Sequence, residues 1–183
     1  ELNNRKIPFK KMKQRILLFM FLLALVSCER NDDISTSGTT GTERRAALYE
    51  YTIAPSATNP AIFLYNNNHY VCVDTRVTAK NKLFIFFPGT SGSPEFYKLI
   101  VKKAASLGYH AIGLMYPNGS DMYTWSAANP DNSQFGKCRQ EIFDGTDQTL
   151  GVTVDGNNCI KGRLIRLLQY LSANYPDLNF QQF

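Results

Sequence analysis

The hydrophobic pattern changes period several times along the chain, and each change predicts an element. Ala61–Tyr65 (AIFLY) and His69–Thr75 (HYVCVDT) are short β-rich runs separated by Asn66-Asn67-Asn68, residues that tolerate turn conformations; the pattern predicts a hairpin. Lys82–Phe87 (KLFIFF) is a continuous apolar run, the signature of a strand buried on both faces, and Pro88-Gly89 stops it. After a Gly/Ser/Thr loop, Pro94 opens a helix with Phe96, Leu99, Ile100, Ala104 and Leu107 at three- and four-residue spacing, ending at Gly108. Tyr109–Met115 (YHAIGLM) reads as the next strand, closed by Tyr116-Pro117-Asn118-Gly119.

Strand, loop, helix and strand within about 35 residues form a βαβ unit, which implies a parallel pair and an α/β class. The segment 120–158 is rich in turn residues and holds the chain's one Trp, Trp125, so it reads as a long irregular excursion over the carboxyl edge of the sheet. Ile160, Leu164, Leu167, Leu168 and Leu171 then mark one face of a helix that stops before Tyr175-Pro176. No internal repeat is visible.

Upstream, Ile16–Val26 (ILLFMFLLALV) is apolar on every side. Its eleven residues suit the h-region of a signal peptide and fall short of the ~20 needed to span a membrane. It closes with Leu25-Val26-Ser27-Cys28, which resembles the lipobox of bacterial lipoproteins; that resemblance implies that Cys28 is acylated and anchors the protein to a membrane of the cell envelope, on its periplasmic or cell-surface face. Met12 begins this signal peptide (12–27), and the preceding residues 1–11, which lack an initiating Met, read as a non-native extension. Residues 28–45 have little to bury and read as a flexible tether, with the domain expected from 46 to 183. The composition suits one such domain with a non-globular end. The net charge of +5 belongs to the leader: six of the 20 basic residues and one of the 15 acidic residues precede Cys28, leaving fourteen of each sign. A near-neutral body gives no footprint for nucleic acid.

The loop Pro88-Gly89-Thr90-Ser91-Gly92-Ser93-Pro94 sits where a phosphate-binding loop would, yet it lacks the GK[ST] ending of a P-loop and the GxGxxG order of a dinucleotide site. No cofactor is implied. The same backbone geometry can stabilise a developing oxyanion, as the loop after the third strand of an α/β-hydrolase does. FIFFPGTSGSPEFY, AASLGYHAIGLMYPN and CRQEIFDGTD together resemble the front half of the α/β-hydrolase-fold family, over roughly Ala61 to Phe183. The resemblance implies an esterase- or lipase-like serine hydrolase acting on a small ester. In it Gly89 permits close approach, and the backbone N–H of Thr90, with that of Ser91, lines half of an oxyanion hole.

The family's nucleophile lies in GxSxG on a strand-helix elbow, followed by an acid and a His. No GxSxG occurs here, and the helix from Ile160 matches the segment that precedes the nucleophile strand. The chain is therefore expected to be an amino-terminal part, truncated before that strand and inactive alone. Ser91 paired with His69 or His110 is a competing nucleophile, although His110 reads as a core residue and His69 as surface. Asp144, Asp147 and Asp155 miss the spacing of a calcium loop and read as turn chemistry, so no metal is implied. Tyr123 and Trp125 are candidates to line a cleft or to plug the loop onto the sheet. Cys138 and Cys159 flank one loop; in an oxidising compartment a disulfide there would stabilise by roughly 3 kcal/mol, while Cys72 reads as a buried thiol. The rival to the hydrolase reading is a lipid-anchored binding protein that uses the same fold without chemistry.

Overall fold

Two antiparallel strands begin the domain: β1 (Leu48–Ile53) and β2 (His69–Asp74) pair from Leu48 opposite Asp74 to Ile53 opposite His69. They belong to a computed structural model that describes residues 46–119, 133–148 and 152–183. The leader, Cys28, the tether and the Tyr123/Trp125 pair lie outside the described residues. A short helix, α1 (Pro55–Thr58), follows β1. The expected hairpin partner Ala61–Tyr65 is not a strand. Ile62 is buried as a plug, while the Leu64 N–H and the Leu64 and Tyr65 carbonyls are taken up by the side chains of Asn158 and Arg163. Six residues of β1, alternating toward the core, out-compete that five-residue run as the partner of β2.

β3 (Leu83–Phe86) and β4 (His110–Gly113) are parallel, joined by a 3-10 turn at Pro94–Tyr97 and helix α2 (Lys98–Ser106). This is the βαβ unit read from the sequence. β4 also pairs antiparallel with β2, so the four-stranded mixed sheet runs β1-β2-β4-β3. β3 is consequently an edge strand among the described residues. Its four residues are half-buried, where burial on both faces was expected.

Side chains alternate between two cores. On one face Val71, Val73, Ile112 and Leu114 pack against Leu167 and Leu171 of helix α4 (Ile160–Asn174) and against Leu178 and Phe180 beyond it. On the other, Tyr70, Cys72 and Ala111 meet Val101, Ala104 and Ala105 of α2. Helices thus cover both faces of β2 and β4, and all six residues of β2 are buried. Of the expected face of α2 only Ala104 is buried, joined by Val101 and Ala105. Small residues turn inward, so that Pro94 approaches Gly113, where an added Cβ would lie 3.0 Å from the Pro94 side chain. Phe96 and Leu99 are left 80% and 83% exposed. Lys102 ties α2 to β1 through Glu50 at 2.9 Å, and the Tyr70 hydroxyl donates to the same carboxylate. Finally, the expected irregular excursion contains a helix, α3 (Ser133–Asp144), which buries Cys138 and Glu141 one turn apart.

Candidate functional site

Because β3 and β4 are parallel, the segments that leave them emerge at the same sheet edge, the edge at which α/β proteins bind ligands. The loop 88–93 leaves β3, and Tyr116–Asn118 leaves the end of β4. The second segment holds the first. The Tyr116 hydroxyl donates to the Pro88 carbonyl at 2.9 Å, with its ring edge-on to Phe87. Burial pushes the Tyr116 pKa up, so this group stays a donor at neutral pH. Asn118, itself buried, donates through Nδ2 to the carbonyls of both Gly89 (2.8 Å) and Gly92 (2.9 Å), and its own carbonyl accepts from the Ser91 N–H at 2.8 Å.

Within the loop the Gly92 N–H donates to the Gly89 carbonyl at 2.9 Å, closing a turn in which Ser91 has a left-handed φ of 57°. Thr90 occupies the position before it, as in a type II turn. The carbonyls of Pro88, Gly89 and Gly92 are therefore engaged, as are the N–H groups of Ser91 and Gly92. The N–H groups of Gly89, Thr90 and Ser93 have no hydrogen-bond partner among the described residues. This corrects one expectation: Ser91 N–H is committed to Asn118 and is not offered to a ligand, whereas Thr90 N–H is open. A methyl group placed on Gly89 would meet no atom of the described residues within 4 Å, so packing among them does not require glycine there. A cavity of about 140 Å³ lined by Leu64, Tyr65, Pro117, Gly119, Ile142 and Val154 adjoins Asn118 through its two sequence neighbours.

Ser91 is exposed and makes no hydrogen bond to either histidine. His110 starts β4, at the end opposite the loop, where its Nε2 bonds the Leu178 carbonyl at 2.7 Å and its ring sits edge-on to Phe180. His69 is not surface, as its place after the Asn run suggested. It is fully buried, and its Nδ1 accepts from the Met115 N–H at 3.0 Å. Burial, then the positive charge of Arg163, pushes its pKa down to about 3. Arg163 is the largest fully buried side chain and bonds to carbonyls of Leu64, Tyr65, Met115 and Asn158. Sequence reading missed Asn118, Tyr116 and Arg163. A turn Asn after the neighbouring parallel strand and an Arg on an otherwise apolar helix face were the available signals.

Two of the three aspartates serve turns: Asp144 accepts from Thr146 N–H, and Asp155 accepts from the N–H groups of Asn157 and Asn158, while Asp147 is exposed. No group of three or more His, Cys, Asp or Glu among the described residues is placed to hold a metal ion. The expected Cys138–Cys159 bridge is not formed. Both are buried thiols, and Cys159 instead caps α4: its sulfur accepts from the Gly162 N–H at 3.2 Å and donates to the Gly156 carbonyl at 3.3 Å. Cys72 is buried, as expected, and burial raises its thiol pKa to about 11. Among the described residues no helix is long and apolar enough to cross a membrane. Comparison with models of protein families, with curated proteins and with solved structures finds no match.

Proposed function

We propose that this chain supplies the oxyanion-hole part of an exported, lipid-anchored serine hydrolase of esterase or lipase-like type, with the nucleophile, acid and His provided elsewhere in the gene product. The observation that carries the reading is the 88–93 loop at the carboxyl end of β3: its Pro88, Gly89 and Gly92 carbonyls are turned to Tyr116 and Asn118, while the Thr90 N–H has no partner among the described residues. Such an amide, fixed before the substrate arrives, stabilises charge that develops on a carbonyl oxygen without reorganising at that moment. The position of β3 at the sheet edge among the described residues supports the same reading, since in this family the nucleophile strand pairs beside that strand. In this reading Cys28 carries the acyl chains that hold the enzyme on a membrane of the bacterial envelope.

The test uses Thr90→Pro in the natural gene product. Proline suits the second position of a type II turn and, along with the hydroxyl, removes an N–H that has no partner among the described residues. The expected result is an unchanged melting temperature with kcat for p-nitrophenyl acetate lowered by roughly 10²–10³. Full activity in Thr90→Pro would exclude the oxyanion role, and activity abolished by Ser91→Ala would make Ser91 the nucleophile. Palmitate labelling that persists in Cys28→Ala would remove the lipoprotein part.

A second reading, a lipid-anchored interaction protein without chemistry, draws on one observation: Phe96, in the 3-10 turn before α2, and Leu99, in its first turn, stand almost fully exposed. Absence of ester turnover by the natural gene product, together with loss of a binding partner in Phe96→Glu, would favour it.

A further inference from the structure

The hydrogen bonds around Asn118 are more specific than loop packing requires. One side-chain amide reaches two carbonyls of the same turn, Gly89 and Gly92, and the carbonyl of the same residue holds the Ser91 N–H. These three bonds grip the turn at its first, third and fourth residues. Among the described residues Thr90, the second, is left without a bond. Ser91, a non-glycine residue with φ of 57°, sits in a conformation that ordinarily costs about 1 kcal/mol or more, so an outside constraint is needed to keep it there. The bond to the Asn118 carbonyl supplies that constraint.

Only a neutral amide suits the position. Its NH₂ group offers two donors for two carbonyl oxygens, which no hydroxyl, carboxylate or aliphatic side chain of that size provides. The segment leading to Asn118 leaves β4, which is fixed between β2 and β3, and the Leu114 and Met115 N–H groups bond Phe86 and the buried His69, so the turn is held from the core of the domain.

We infer that Asn118 is the positioning residue of the site: by gripping the turn 89–92 it aims the Thr90 N–H, and Tyr116 assists through Pro88. The inference rests on the hydrolase reading, in which Thr90 N–H meets the oxyanion. An interaction confined to the transition state lowers kcat when lost and leaves KM nearly unchanged.

The test compares Asn118→Asp and Tyr116→Phe with wild type in the natural gene product, using p-nitrophenyl acetate between pH 5 and 8. Ionised Asp would face the Gly89 and Gly92 oxygens with acceptors only; protonated Asp regains one donor. Tyr116 is the one titratable side chain hydrogen-bonded to the loop among the described residues, and its raised pKa keeps it from titrating in this range. The expected result is a kcat for Asn118→Asp at least about tenfold below wild type at pH 8, with KM little changed. The ratio of variant to wild type should recover as pH falls. Tyr116→Phe should show a smaller loss without pH dependence, and Ser91 N–H exchange should quicken in both variants. A kcat ratio near one for both variants, or a deficit in Asn118→Asp that does not change with pH, overturns the positioning role while the hydrolase reading stands. Absence of turnover in wild type sinks the hydrolase reading and this inference with it, and is told apart by that control.

Discussion

Nε of Arg163 donates to the backbone carbonyl of Asn158 at 2.6 Å, five residues before it, in a place where the arginine has no exposure to solvent. Its remaining donors reach the carbonyls of Leu64, Tyr65 and Met115 and the Asn158 side chain. Asn158 in turn donates to Asp155, so the buried positive charge and an outlying carboxylate are linked through an amide. Burial lowers the Arg163 pKa to about 10, which leaves it charged at neutral pH. Arg163→Met should therefore expose no new surface yet strand several buried carbonyls, at roughly 1–3 kcal/mol for each group left without water. Urea unfolding should show a loss of about 3 kcal/mol or more. A loss below 1 kcal/mol would mean that water enters and replaces the guanidinium.

Acid should weaken the fold before its carboxylates begin to titrate. His69, with its pKa pushed from 6.5 to about 3, is neutral in the folded protein and protonates below 6.5 once unfolded; the unfolded state thus binds the extra proton, and stability falls as pH falls. His110 is lowered by burial, against the opposing bond to Leu178, and adds in the same sense. Between pH 6.5 and about 4.5 His69 contributes up to about 1.4 kcal/mol per pH unit. Below that range the lowered carboxyls join in: Glu50 loses its bonds to Tyr70 and Lys102, and Asp74 its bonds to Arg76. His69→Gln, which keeps an acceptor for Met115 N–H, should flatten the dependence in the upper window. An equally steep profile in that variant would assign the acid loss elsewhere.

Two glycines in helices should respond oppositely to the same substitution. An added Cβ on Gly136, in α3, meets nothing within 4 Å, so Gly136→Ala should stabilise by about 0.5–1 kcal/mol through helix propensity. On Gly162, in α4, it would stand 2.0 Å from the Gly156 carbonyl oxygen, and the helix start would have to move. Gly162→Ala should destabilise by about 2 kcal/mol despite the gain in propensity. Thermal melts of the two variants check the pair, and a shift of the same sign in both would contradict the packing at Gly156.

For the cysteines, alkylation followed by non-reducing peptide mapping should find Cys138 and Cys159 unbridged and modified only after unfolding. Cys159→Ser should keep the cap of α4, because a hydroxyl accepts and donates along the same two directions, while Cys159→Ala should cost about 1 kcal/mol.

Local signals carried the βαβ unit and α4 into the sequence reading, because each rests on its own periodicity and punctuation: the Pro88-Gly89 stop, Pro94, Gly108 and the leucines from 164 to 171. What the sequence hid was decided between distant segments. Ala61–Tyr65 looks like a strand by composition, but its backbone is claimed by side chains almost a hundred residues away. Most of the inward face of α2 was misread, Ala104 excepted, because a helix resting on a glycine-bearing strand favours Val101 and Ala105 over Leu99 and Ile100. At the site, the loop was legible from glycine, serine and proline, whereas Asn118 looked like one more turn residue until the parallel register set it against Gly89.

The bond between Arg163 and the Leu64 and Tyr65 carbonyls spans 99 and 98 positions of chain. During synthesis at about 5–20 residues per second, those carbonyls leave the ribosome roughly 5–20 seconds ahead of the guanidinium that will satisfy them. Through that interval the 61–65 segment retains its β-prone composition and a backbone able to pair with any neighbouring strand. A chaperone that shields newly made chain would therefore be expected to act here first, and slowing translation between Tyr65 and Arg163 with rare codons should lower the soluble yield more than the same codons placed after Arg163.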